Sequence, residues 1–284
     1  MIRLLILFLL PVVSSTLLAQ RPADNVLAAM EREAQELMQQ EKFQEAVTIF
    51  DKIISSTGLV REEDYLALYR RSICNYYLGK TDLALNDINA FIPHNPGRST
   101  PFLLRSLLHR STEQFDLAIE DLNKVLLMNT GEQDSAQVLR LRSAAFLELR
   151  QYSNAIRDVR WAMKEGEDPE GLSILAFAHF NMGDETSGLN AVNRSIELDF
   201  SYLPSYLYAA SFLSQNGKNQ LALTYARLAT MVDENSMDAW FYLGVALVNL
   251  DDLDRGCRCL NKAFYGGNDN AAGYLSQYCF PVEN

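Results

Sequence analysis

The chain is poor in the residues that carry chemistry. Its 284 residues hold three histidines, four cysteines and two tryptophans. No His-Glu-x-x-His, Gly-x-Ser-x-Gly or phosphate-loop pattern occurs, so metal-hydrolase, serine-hydrolase and nucleotide-binding readings lose their usual support. No period-two alternation runs over several strands, which argues against sheet. No low-complexity tract suggests disorder. The one unbroken apolar run, Leu4–Leu10, is far shorter than the ~20 residues a helix needs to span a bilayer. Positive charge is also scarce: 25 basic residues face 36 acidic ones, net −11. Such a surface repels phosphate backbones and anionic membranes, so nucleic acid is not an expected partner.

What is present is a ladder. Small residues recur at Ala46, Ala84, Ala118, Ala155, Gly188, Ala222 and Gly256, at intervals of 38, 34, 37, 33, 34 and 34 residues. A fixed period of this size marks a stacked array of one supersecondary unit. Behind each small residue apolar positions continue at helical spacing, as Ile88, Phe91 and Ile92 follow Ala84. Ahead of each stands a short break, such as Leu78-Gly79-Lys80-Thr81-Asp82, preceded by another amphipathic segment such as Tyr65–Leu78. Each period therefore reads as helix, tight turn, helix. The small residue lets two antiparallel helices approach closely.

This pattern resembles the tetratricopeptide repeat (TPR), a 34-residue unit opening W-x2-L-G-x2-Y and carrying a later Ala. Trp240-Phe241-Tyr242-Leu243-Gly244 matches the opening best, and Leu78 to Ala84 with Asn95-Pro96 matches the closing. The resemblance covers residues 27–270 in seven repeats. It implies an all-α, right-handed superhelical solenoid, with residues 271–284 as a C-terminal capping helix and tail. It also implies a concave groove lined by the first helix of each pair, chiefly through repeat positions 2, 5, 9, 12 and 13, with 6 at the edge. Carried over by position, that face holds Tyr69, Ile73, Tyr76 and Tyr77 in the second repeat, Leu103 and Leu107 in the third, and Arg140 in the fourth. It continues with Phe177 and Phe180, then Leu207 and Tyr208, then Phe241, Tyr242 and Val245. Aromatic and aliphatic side chains along a groove suit capture of a protein or peptide segment. The competing reading is a carbohydrate- or small-ligand-binding solenoid using the same aromatics. The family's carboxylate clamp is not expected: among Glu31, Gln35, Leu66 and Arg70, only Arg70 fits it.

Two further patterns are local. Arg71, Arg105 and Arg142 take repeat position 7, while Asp87, Asp121 and Asp158 take position 23; the other four repeats lack both. Their joint occurrence predicts structural ion pairs between helices, within a repeat or to the next one. The cysteines are read as buried free thiols, with a bridge from Cys279 to Cys257 or Cys259 compatible but none assigned. No metal ligand set, cofactor or catalytic residue is expected.

Residues 1–19 have the three-part layout of a secretory signal peptide: Met1-Ile2-Arg3, the Leu4–Leu10 run, and a small, mildly polar stretch from Pro11 to Ala19. The Leu17-Leu18-Ala19-Gln20 run resembles signal ends common in Bacteroidetes. Residues 20–26 would form a leader. Residues 1–19 contain Arg3 and no acid, so the remainder carries net −12. The expectation is an exported, periplasmic scaffold without stable membrane insertion after cleavage. Extracellular release and anchoring by an uncleaved signal are the alternatives.

Overall fold

A computed structural model describes residues 22–128 and 132–280. The expected signal segment, residues 1–19, lies outside the described residues, as do residues 20–21 of the leader and residues 281–284 of the expected tail. All regular structure among the described residues is helical. The chain divides into two compact units, the first up to residue 130 and the second from residue 131.

The first unit stacks three antiparallel helix pairs: α1 (Pro22–Gln39) with α2 (Phe43–Thr57), α3 (Leu66–Tyr77) with α4 (Thr81–Phe91), and α5 (Ser99–Ser111) with α6 (Phe115–Met128). The second stacks four: α7 (Glu132–Glu148) with α8 (Tyr152–Ala162), α9 (Pro169–Asn181) with α10 (Glu185–Leu198), α11 (Leu203–Gln215) with α12 (Asn219–Val232), and α13 (Met237–Val248) with α14 (Leu253–Tyr265). A short α15 (Ala271–Tyr274) runs into a π-helical turn over Leu275–Cys279 and closes the second unit. The 38-residue first interval has a physical source. After α2 the chain makes a left-handed turn at Gly58 and Leu59, then a 3-10 turn over Glu62–Tyr65 before α3 starts.

The small-residue ladder sits where the helices of each pair meet. Ala46, Ala84, Ala118, Ala155 and Ala222 are fully buried. The two glycines are sterically required. A Cβ on Gly188 would stand 2.3 Å from Phe180 Cδ1, and one on Gly256 would meet Val248 Cγ2 at 2.6 Å and the backbone of Val248 and Gly244 at 3.0 and 3.1 Å.

A second ladder, not visible in the composition of the turns, holds the pairs closed. The residue five places ahead of each small residue has positive φ in all seven repeats: Glu41, Gly79, Glu113, Arg150, Gly183, Gly217 and Asp251, at 56–79°. In each turn its N–H bonds back three residues and the next N–H bonds back five, as Gly183 N to Phe180 O (3.0 Å) and Asp184 N to His179 O (2.9 Å). This left-handed helix ending satisfies carbonyls that the first helix leaves open. Glycine adopts it freely, and the four other residues adopt it at a cost.

Candidate functional site

The three Arg/Asp couples hold helices together. Arg71 donates to Asp87 through Nε (2.8 Å) and Nη2 (2.6 Å), Arg105 to Asp121 at 2.7 Å twice, and Arg142 to Asp158 at 2.6 and 2.9 Å. Each joins the two helices of one pair in the two-pronged geometry that makes Arg–carboxylate bonds strong. Asp87, Asp121 and Asp158 are buried. The third guanidinium nitrogen reaches the preceding pair where that is described: Arg71 Nη1 to Asp51 (2.6 Å) and Arg105 Nη1 to Asn89 (2.8 Å). The hydrogen bonds to Asp87 raise the Arg71 pKa further, so that charge is permanent.

The first-helix face divides into packed and open residues. Ile73, Phe180, Phe241 and Val245 were expected to face a groove, and each is buried, at 8%, 4%, 8% and 3% exposure. Ile73 joins the core between α3, α4 and α5. Phe180 turns into the space that Gly188 leaves and stacks on Phe212, ring centroids 4.2 Å apart. Phe241 and Val245 are covered by α15 and the turn after it. Tyr69 uses one ring face on buried Phe91 (5.1 Å), and Tyr77 stacks on Phe43 of α2 (4.6 Å). Tyr76, Leu103 and Leu107 remain half-buried in the first unit.

In the second unit further aromatic side chains stand on successive first helices, some open and Phe241 buried. Phe177 of α9 meets Tyr208 of α11 edge-on at 5.3 Å. Tyr208 is 37% exposed, and its phenol is pushed up by burial, then by Glu148 and Tyr242. Tyr242 of α13 contacts Phe241 at 5.1 Å, Phe241 contacts Tyr274 at 5.6 Å, and Tyr274 stacks towards Tyr278 at 6.0 Å. Tyr202, at the start of α11, is pushed up to about 12 by burial, then by Glu170 and Tyr208. All these raised phenols stay neutral at physiological pH and are available as hydrogen-bond donors. Leu207 is half-buried beside them. Below Tyr242 and Tyr274 lies a pocket of about 370 Å³, lined also by Ser211, Ser214, Gln215 and Asn270. The capping segment was expected, but Tyr274 was not among the expected groove residues, although Tyr274 and Tyr278 at helical spacing were a usable signal.

Arg140 is less open than its position implied. It forms an ion pair with Asp168 at 2.5 Å, and Asp168 also caps α9 by accepting from Gly171 N. Arg70 forms an ion pair with Glu31 at 3.2 Å. His109 bonds Gln114, His179 lies 3.3 Å from Asp184, and His94 stacks on Tyr65. Among the described residues no group of three or more His, Cys, Asp or Glu could hold a metal, and no helix is long and apolar enough to cross a membrane.

The cysteine expectation requires correction. Cys257 and Cys279 form a disulfide, Cα atoms 5.7 Å apart. The π-helical turn brings Cys279 back over α14, onto the side where Cys257 projects; Cys259, two residues on, points elsewhere and stays a thiol. Cys74 is buried and free.

No protein-family model matches the sequence. A curated relative, U-box domain-containing protein 70 of Oryza sativa subsp. japonica, is 27% identical over 147 residues, which cover 51% of this chain and only 17% of that protein. Solved structures align over much more. A tetratricopeptide repeat protein from Parabacteroides merdae superposes with TM-score 0.76 over 90% of this chain and 100% of its own, at 15% identity. The C-terminal part of a TPR repeat-containing protein from Cytophaga hutchinsonii gives 0.60 over 86% and 98%, at 20% identity. PilW, a type IV pilus biogenesis factor, gives 0.63 over 74% and 98%, at 12% identity. At such identities the likeness is one of fold, and it agrees with the helix pairs, the turns and the buried small residues: the chain has the all-α helix-pair fold of tetratricopeptide-repeat proteins.

Proposed function

We propose that this protein is a non-catalytic scaffold or adaptor of the cell envelope that holds a peptide segment of another protein against its first-helix faces. The observation that carries the reading is the set of aromatic side chains Phe177, Tyr208, Tyr242 and Tyr274, which stand on three successive pairs and the cap within the second unit, Phe177 against Tyr208 and both Tyr242 and Tyr274 against Phe241. Rigid aromatic side chains offer large contact area at small entropic cost, and the tyrosine hydroxyls add donors for a peptide backbone. Export is supported by the signal-like layout of residues 1–19 and by a disulfide, which persists in oxidising compartments.

A carbohydrate-binding reading has one specific support: Tyr242 and Tyr274 share a pocket with Gln215 and Asn270. No carboxylate lines that pocket, and the aromatic series extends well beyond it.

The test is to select extended peptides on the full chain and to screen a glycan array beside them, then repeat both with Phe177→Ala/Tyr208→Ala/Tyr242→Ala. The selected peptides should lose at least about tenfold in affinity, roughly 1.4 kcal/mol, with an unchanged melting temperature. Full retention by every peptide sinks the proposal. Glycan binding abolished by Tyr242→Ala/Tyr274→Ala, with peptides unaffected, would transfer the function to sugar.

A further inference from the structure

Helix α13 carries two pockets on opposite faces. Phe241, Tyr242 and Val245 line the one described above. Trp240, Leu243 and Leu247 turn the other way and floor a second pocket of about 410 Å³, open to solvent and mainly apolar, between α12, α13 and α14. Its size lies in the ordinary range of ligand clefts, about 300–1,000 Å³.

The rim of this second pocket is unlike the rest of the protein. In a chain of net charge −11, four cations surround it: Arg227 from α12 and Arg255, Arg258 and Lys262 from α14. Arg255 pairs with Asp252. Arg227 and Arg258 are exposed and make no ion pair among the described residues. Lys262 lies over the Trp240 ring, 3.6 Å from its centroid, and the indole N–H is fixed on Glu234 O at 2.8 Å. The Cys259 thiol in the wall is held protonated mainly by burial, so it contributes as an apolar atom.

Apolar floor and cationic rim define the complement. We infer that this face is a docking site for an acidic peptide segment bearing one aromatic or large aliphatic anchor, distinct from the first-helix face. The anchor enters against Trp240 and Leu247, and flanking carboxylates meet the rim. The spacing fits: Arg255, Arg258 and Lys262 lie along one side of α14, on the order of 10 Å at ~1.5 Å per residue. Alternate residues of an extended peptide recur at roughly 6.6 Å, so two acids flanking the anchor reach two cations. Local surplus charge supplies orientation and encounter rate, and the buried anchor supplies most of the affinity.

The experiment uses the full chain in a Trp161→Phe background, so that Trp240 alone fluoresces; Trp161 is 66% exposed and tolerates the change. The unlabelled probe is the acetylated pentapeptide Glu-Asp-Phe-Glu-Glu. It should shift Trp240 emission saturably, with a Kd that rises with salt. Arg227→Glu/Arg258→Glu should raise that Kd at least tenfold without moving the melting temperature, as should replacing Phe of the probe by Ser. The Phe177→Ala/Tyr208→Ala/Tyr242→Ala variant should bind the probe unchanged, which separates this site from the function proposed above. Equal binding by the charge-reversed variant, equal binding of a Lys-for-acid probe, or loss in the aromatic variant overturns the inference. So does displacement of the peptide by vesicles containing phosphatidylglycerol, which would assign the face to a membrane.

Discussion

Arg105 of α5 grips Asp121 of α6 with two parallel hydrogen bonds of 2.7 Å, and Asp121 is only 2% exposed. Removing the carboxylate alone strands a guanidinium in a mostly buried place, at a cost of about 3–5 kcal/mol. Asp121→Ala should therefore lower the denaturation midpoint far more than Asp24→Ala, whose partner Arg61 is 3.6 Å away and half-exposed. Surface pairs of that kind contribute about 0–1 kcal/mol. The fifth repeat also says what can replace the couple, since Leu175 and Ala191 occupy its two positions. Arg105→Leu/Asp121→Ala should recover most of the loss. Equal midpoints for Asp121→Ala and Asp24→Ala, or a double variant worse than the single one, would refute this account in urea titrations.

The seven left-handed turn residues lead to a gain rather than a loss. Glu113 and Arg150 hold φ of 58° and 56°, where a Cβ crowds the following carbonyl. Glu113→Gly should stabilise the protein by several tenths to about 1 kcal/mol, the relief of strain being partly offset by a freer unfolded chain. Gly183→Ala, at φ 79°, should do the reverse. Thermal melts of the two single variants decide the matter: shifts of the same sign would contradict it.

How much of this was legible in advance depends on whether the cause was periodic. The small-residue ladder and the Arg/Asp couples repeat, so one chain contains its own internal comparison, and the residues end where that comparison places them. Burial of the first-helix face is not periodic. Phe241 and Val245 disappear because a non-repeat segment, α15 and the turn after it, lies on the last pair. The pairing of Cys279 depends on the same non-repeating segment, and connectivity cannot be deduced from spacing alone. Phe180 was decipherable in principle: the chain has Gly188 where five other repeats have Ala, and a missing methyl leaves room for a ring.

That exchange can be measured. Gly188→Ala gains up to about 1 kcal/mol of helix propensity but drives a methyl to 2.3 Å from Phe180, and overpacking costs about 1–3 kcal/mol. A net loss is expected. In a double-mutant cycle with Phe180→Leu, the alanine should become neutral or favourable, a coupling of at least about 1 kcal/mol. Gly256→Ala should not be rescued as well by Val248→Ala, because backbone atoms at 3.0 and 3.1 Å remain in the way. Absence of coupling at Phe180/Gly188 would mean that the helices separate instead.

The disulfide should act on one end of the chain. Cys257 and Cys279 close a loop of sequence separation 22, for which chain entropy gives about 3 kcal/mol. Stability in a repeat array is distributed among neighbours, so the effect of Cys279→Ser falls on α15 and the α13/α14 pair. Amide exchange there should accelerate, with α9 and α10 little changed. Thiol labelling gives an independent check, because only a thiolate attacks. Burial pushes the Cys74 thiol up to about 12 and also raises Cys259, so both should label slowly in the native protein at neutral pH. Cys257, half-buried and released by Cys279→Ser, should then become the most readily modified site. Unchanged exchange in α15, or rapid native labelling of Cys74, would show that the cap and the core around α3 are held differently from the arrangement described above.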